Sequence, residues 1–372
     1  MNCQRHPWFV STFDFCFPTE QTSPNGYASF RATMLRAVKL VDAHTHLHMC
    51  PLAVQAATVE SFSHLAVCAT SPGDWETVLE LAEARNPQQQ GCKIVPYLGV
   101  HPWWAKHNST ERTLADLRRL LEQHPRLQVG EIGLDKIHGK RRKDFPAQKE
   151  LFRKQLLLAG EFSRGVQVHC VQSGGGIVEE YDAVVASGSP GAQLLPVYTI
   201  LHSYILGPDL VPLFLQKIPN VYFSFAYHNK PEAVERLRAT LRKVPLDRIL
   251  VETDSPAQTP DVVPVVSAED DKTLEFCEEV VTSTENDGSS RFQFVTKTAL
   301  QPDGSTVLHF CPCCGPSGRR DNKPENIRFV LEQVGSILEK SAAEVAEIVA
   351  RNAERIFSDD LSTSSPVDRG KT

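Results

Sequence analysis

Two histidines, His44 and His46, sit at the end of Val41-Asp42-Ala43-His44-Thr45-His46, directly after the apolar-leaning run Leu35–Val41. That run reads as a short buried strand. Side chains alternate along a strand, so these two imidazoles point the same way. Neutral imidazole is a common ligand for divalent metals, and a side-by-side pair is a ready chelate. Comparable groups recur down the chain, each at the end of an apolar run. They are His101 in Gly-Val-His-Pro, Glu131 and Asp135 in Gly-Glu-Ile-Gly-Leu-Asp, His169, His202, and Glu252 and Asp254 in Glu-Thr-Asp-Ser-Pro. One such residue is ordinarily structural; a set at successive strand ends is a site. His44, His46, His169 and His202 with Glu131 and Asp254 suit two divalent ions sharing a carboxylate. Such a pair, about 3.5–4 Å apart, activates a water and holds both the attacking and leaving oxygens of a phosphate. Glu131, from the middle of the series, is the natural bridge. Asp254 is placed to ligate a metal and to take the proton of the attacking water.

The elements that must position these groups follow from the pattern around them. Candidate strands lie at 37–42, 64–69, 93–99, 127–132, 165–169, 197–202, 220–225 and 248–253. Amphipathic stretches separate them, among them Asp74–Arg85, Thr110–His124, Phe145–Phe162, Gly176–Ala186, Asp209–Lys217 and Pro231–Lys243. Alternating strands and helices imply βαβ units on a parallel sheet. Eight of them predict an α/β fold, a (β/α)₈ barrel of TIM type with its site at the carboxyl ends of the strands. An open doubly wound sheet is the alternative.

Residues 1–34 read as an irregular extension, 35–357 as the barrel with a long insert at 257–322 after strand eight, and 358–372 as a polar tail. The 372 residues carry 41% hydrophobic and 23% charged side chains, an ordinary globular composition. A net charge of −6 excludes a global basic field for nucleic acid, so any such binding needs a local patch. Ten scattered Cys suggest reduced thiols and an intracellular, cytoplasmic setting, with nucleus and mitochondrion left open. No run of 18 apolar residues occurs, so no membrane span is expected, and the chain is expected to act as a monomer.

In combination, these motifs resemble the TatD-type deoxyribonucleases from Val41 to Phe357. Pro245-Leu246-Asp247-Arg248 and Lys323-Pro324-Glu325-Asn326-Ile327 strengthen the likeness. The resemblance implies a barrel with a dinuclear centre acting on DNA, in the manner of a 3′–5′ exonuclease. One metal would take His44, His46, Glu131 and Asp254; the other would take Glu131, His169 and His202. His101 would face the substrate phosphate, and Glu252 would stand behind the ligands. The metals expected are Mg²⁺, Mn²⁺ or Zn²⁺.

Departures from the family pattern bear on substrate. Val171 stands where the family usually has Arg, and Gly174-Gly175-Gly176 follows it and reads as a flexible turn. Cys311, Cys313 and Cys314 are too tightly spaced for a four-ligand zinc site and read as loop cysteines. Residues 284–305 are polar and read as exposed loop. Lys136, Lys140, Arg141, Arg142 and Lys143 follow Asp135 and are expected on a loop at the mouth, where they could grip phosphates. Two other function classes compete with the nuclease. Amide or lactone hydrolases and deaminases of the wider amidohydrolase type also open with His-x-His, but commonly bridge their metals with a carbamylated Lys where this chain has Glu131. A scaffold that has lost activity would not keep the full ligand set.

Overall fold

A computed structural model describes residues 40–358 apart from 51, 86–90, 109, 189–194, 261–275, 281–294, 301–305 and 310–321. The expected N-terminal extension, the C-terminal tail and the Cys311–Cys314 cluster lie outside the described residues. Eight parallel strands follow one another in chain order: β1 (Leu40–Thr45), β2 (Phe62–Cys68), β3 (Lys93–Leu98), β4 (Gln128–Asp135), β5 (Val166–Val171), β6 (Thr199–Leu201), β7 (Val221–Phe225) and β8 (Ile249–Val251). Backbone bonds from Asp254 N to His44 O (3.0 Å) and from His46 N to Ser255 O (2.8 Å) draw the last strand's exit against the first. The sheet therefore curls into a nearly closed TIM-type barrel. The helices are α1 (Leu52–Ser61), α2 (Trp75–Arg85), α3 (Ala105–Asn108), α4 (Glu111–Gln123), α5 (Lys136–Arg142), α6 (Phe145–Glu161), α7 (Gly174–Ser187), α8 (Val211–Lys217), α9 (Pro231–Leu241), α10 (Ile327–Leu338) and α11 (Ala342–Phe357). Among the described residues no helix is long and apolar enough to cross a membrane.

The strands are buried along most of their length, polar members included, because a parallel barrel covers both faces. In β7 every residue of Val-Tyr-Phe-Ser-Phe is buried. The last helix braces the seam. Ser341 and Glu344 form a reciprocal capping box that starts α11. Its buried side chains Val345, Val349, Ile356 and Phe357 recur at helical spacing. Burial of each contributes about 1.5–3 kcal/mol. Asn352 Nδ2 donates to the carbonyls of Leu246 and Ile249, both at 2.8 Å, and so fixes the entry of β8.

Four expectations need correction. Strand one extends beyond residue 42, so His44 lies within β1 rather than after it. The basic run is not a loop. Asp135 Oδ1 accepts the backbone N–H of His138 (2.8 Å), and this N-cap turns the chain directly from β4 into α5. Gly174-Gly175-Gly176 opens α7 rather than forming a flexible turn; a Cβ on Gly174 would meet Leu210 Cδ1 at 2.6 Å, a contact that a shift of that side chain would have to relieve. Residues 284–305 are not all loop, since Val295–Leu300 is the middle of a three-stranded antiparallel sheet with Phe276–Val280 and Thr306–His309.

Candidate metal centre

Six side chains from five strand ends converge on Glu131, which is buried at 2% exposure. On one side, His44 Nε2 and His46 Nε2 lie 3.4 and 3.6 Å from Glu131 Oε2. Both lie 3.4 Å from Asp254 Oδ1, and 3.4 Å from each other. A tetrahedral site with ligands at about 2.0–2.2 Å has ligand–ligand edges of about 3.3–3.6 Å, so this group has the dimensions of a metal cage. On the other side, His169 Nδ1 and His202 Nε2 approach Glu131 Oε1 at 2.9 and 2.8 Å, and each other at 3.2 Å. His101 Nε2 reaches the same Oε1 at 3.2 Å.

Neighbouring groups set which ring nitrogen is free. Gln167, two residues before His169 on the same face of β5, donates to the Ala43 carbonyl and accepts from His44 Nδ1 at 3.1 Å. His46 Nδ1 donates to the Cys68 carbonyl at 2.7 Å, and His202 Nδ1 faces Glu252 Oε1 at 3.3 Å. Each arrangement leaves the Nε2 lone pair aimed at the cage. His101 is the opposite case. Its Nδ1 accepts the backbone N–H of Trp103 at 3.2 Å, so in the neutral ring Nε2 must carry the proton. His101 therefore offers the cavity a donor, not a lone pair. Burial lowers its imidazole to about 4, which keeps that neutral form at physiological pH.

The cluster is rich in buried carboxylate, which demands compensating positive charge. Burial alone would raise the Glu131 carboxyl, but His202 and His101 outweigh it and hold it well below the usual range. Asp254 behaves alike, with His44 and His46 overcoming burial. For His202, burial and His44 push the imidazole down, yet Glu131 and Glu252 lift it to about 9. Divalent cations could supply the same charge, so the donor set and its electrostatics both fit a metal.

Backbone geometry holds the donors in place. Asp254 adopts φ of +54°, a left-handed conformation uncommon for a side-chain-bearing residue. Asp42 ties it in: its carboxylate accepts the Thr253 N–H (3.0 Å), the Thr253 hydroxyl and the His44 N–H (3.3 Å). Gln258 Nε2 donates to Asp254 Oδ2 at 2.6 Å. Asn322 bonds through its backbone N–H to Pro256 O (2.9 Å). Its side-chain amide reaches Thr253 O (2.8 Å) and Gln258 O (3.3 Å). Gly133 stands opposite His169 in the β4–β5 register. Its φ is +143°, and a Cβ there would lie 2.0 Å from His169 O. Gly133→Ala should therefore destabilise the fold by several kcal/mol, roughly the upper range for point substitutions. Urea unfolding checks this, and a midpoint matching the parent would contradict it.

Sequence reading brought His44, His46, Glu131, His169, His202 and Asp254 together, and the structure places them in contact. Asp135 lies beside rather than in the cages. Its Oδ2 accepts Trp103 Nε1 at 2.7 Å and stands 3.7 Å from His169 Nε2. Strand alternation could have flagged Gln167; nothing in the sequence flagged Gln258 or Asn322, which reach the site from outside the barrel strands. The basic run does not enter the cleft as far as it is described: Lys136 and Lys140 are exposed and are not among its lining residues.

Comparison with known proteins converges on one family. The family description "TatD related DNase" matches residues 41–358. The uncharacterized metal-dependent hydrolase YabD of Bacillus subtilis is 22% identical over 324 residues, covering 86% of this chain and 98% of that protein. The 3′-5′ ssDNA/RNA exonuclease TatD of Edwardsiella piscicida is 32% identical over 168 residues, covering 45% of this chain and 60% of that protein. The crystal structure of YJJV, a TatD homolog from Escherichia coli K12, superposes with a TM-score of 0.61 at 20% identity, over 87% of this chain and 98% of its own. That likeness supports the barrel, and the family match spans every strand that carries a cage residue. The chain belongs to the TatD related DNase family.

Proposed function

We propose that this protein is a metal-dependent hydrolase of phosphodiester bonds, a deoxyribonuclease working from 3′ ends through two divalent cations. The observation that carries the reading is Glu131. Its two carboxylate oxygens face separate groups of donors, Oε2 toward His44 and His46 and Oε1 toward His169 and His202. In this reading His44, His46, Glu131 and Asp254 hold one ion, and Glu131, His169 and His202 hold the other. Two cations so placed would lower the pKa of a water and neutralise a phosphate's charge.

The chain's own groups divide the remaining work. Asp254 presents Oδ1 to the cage, while Gln258 holds its Oδ2; it takes the proton of the attacking water. His101 Nε2–H donates to a non-bridging phosphate oxygen, where charge builds as the bond breaks. Glu252 accepts the Ser203 N–H (2.7 Å) and faces His202, so it positions that imidazole. The single-strand exonuclease activity named for the Edwardsiella relative supports nucleic acid as the substrate class.

A substrate panel tests the reading. Protein stripped by chelator is reloaded with Mg²⁺, Mn²⁺ or Zn²⁺ and given end-labelled single- and double-stranded DNA, RNA and simple amides. The expected result is metal-dependent shortening of single-stranded DNA from the 3′ end and no activity in chelator. Full activity in chelator, or turnover of amides alone, would overturn it.

A further inference from the structure

We propose that His228 is a specificity-determining residue, whose imidazole hydrogen-bonds an uncharged polar group on one ester arm of the substrate. The inference rests on the phosphodiesterase reading and adds what that reading lacks, a contact with the substrate beyond its phosphate. No motif in the sequence points to this residue; its place in the fold does. It lies three residues beyond the end of β7, on the connection to α9. It lines the cleft of about 510 Å³ that also holds Glu131 and its imidazoles, within the roughly 300–1,000 Å³ of sites for single small ligands. His101 follows β3, and in a ring ordered β1 to β8 that strand stands opposite β7. The two imidazoles therefore enter from opposite sides of the barrel mouth.

The fold holds this residue from behind. Gln333 on α10 accepts the His228 N–H through Oε1 (3.0 Å) and donates from Nε2 to the His228 carbonyl (2.9 Å). One side-chain amide thus satisfies both backbone groups and fixes the point from which the ring projects. The residue is partly buried. Among the described residues its ring makes no hydrogen bond, ion pair or ring contact. Polar neighbours in the wall are committed. Thr70 Oγ1 donates to Asp74 (3.0 Å). The Cys170 thiol faces Ser173 Oγ (3.7 Å). Ser203 Oγ pairs with Gln258 (2.9 Å), which also holds Asp254. The imidazoles of His46, His101, His169 and His202 all lie against Glu131. Polar groups withdrawn from water ordinarily have a partner. An imidazole fixed at the wall of a ligand-sized cleft without one is placed to find it in the substrate. Burial lowers this imidazole below its usual range, against the pull of Glu252 and together with Arg236. The neutral ring offers one N–H and one lone pair. A hydroxyl, which both donates and accepts, matches that pair, whereas a phosphate is matched by a cation.

The test uses the full-length, metal-loaded protein and three p-nitrophenyl phosphate diesters that differ in the other arm: 3-hydroxypropyl, butyl and 3-phosphopropyl. The first two match in shape and differ by one hydroxyl. The parent should favour the hydroxypropyl over the butyl ester in kcat/KM by about two- to tenfold, the usual yield of one hydrogen bond between uncharged groups. His228→Phe keeps a ring and removes both nitrogens, so it should bring the two esters to equal kcat/KM with the parent's metal content. His228→Gln keeps a donor and an acceptor and should retain part of the preference. His228→Leu takes the place of the phenylalanine variant if that one does not fold. No preference in the parent, or an undiminished preference in His228→Phe, would overturn the proposal alone. So would a larger gain for the charged phosphopropyl arm that His228→Phe removes, since the residue would then read anions. Hydrolysis of none of the diesters with any of the metals would overturn the phosphodiesterase reading beneath it.

Discussion

Glu131→Ala should end turnover and remove both cations together. Glu131 Oε2 stands near both His44 and His46, and its Oε1 stands near both His169 and His202. Truncation therefore strips one ligand from each of the two proposed ions while leaving the histidines in place. A cation in such a site contributes several kcal/mol to charge stabilisation in the transition state. At about 1.4 kcal/mol per tenfold, losing it lowers kcat/KM about a thousandfold or more. Metal content by mass spectrometry, measured beside the rate, separates this loss from simple misfolding. A variant that keeps the parent's full metal content would show that Glu131 does not bridge.

Asp254→Asn should separate metal binding from proton transfer. Asparagine is among the residues that tolerate a left-handed backbone, so the φ of +54° survives the change. Its amide oxygen can still face His44 and His46. Gln258 can turn its own amide to accept from the new NH₂ group, because its other partner, the Ser203 hydroxyl, can donate or accept. The loss is then the negative charge and the base. General-base removal costs about 10²–10⁴-fold, here in kcat, with KM little changed and part of the metal retained. Steady-state kinetics with metal analysis checks the outcome. A rate near the parent's would place the base elsewhere.

The six cage residues were legible because metal chemistry needs particular side chains and a barrel needs them at strand ends. His44 and His46 satisfy both conditions two residues apart, and Glu131 and Asp254 each do so at the end of a separate strand. What escaped was set by contacts between distant segments. The proton on His101 Nε2 follows from a bond to the backbone of Trp103, and no residue type announces it. The helix after Asp135 was hidden by its Lys and Arg content, which suggests a solvated loop when read as charge alone. Gln258 and Asn322 lie in a stretch without periodicity, and their value comes from carbonyls and a carboxylate they meet only in the folded chain.

The Asn322 contacts also bear on chain length. One amide joins the carbonyls of Thr253 and Gln258, so the chain that leaves after Pro260 is tied where it returns. A loop whose ends are already held together meets only the slowly growing entropy of closure, about 0.6 kcal/mol for each doubling of its length. Length added between those ends therefore carries little closure cost, while Asp254 and Gln258 keep their register. The tie makes the exit of the last barrel strand a place where new sequence can be accommodated without disturbing the chemistry beside it.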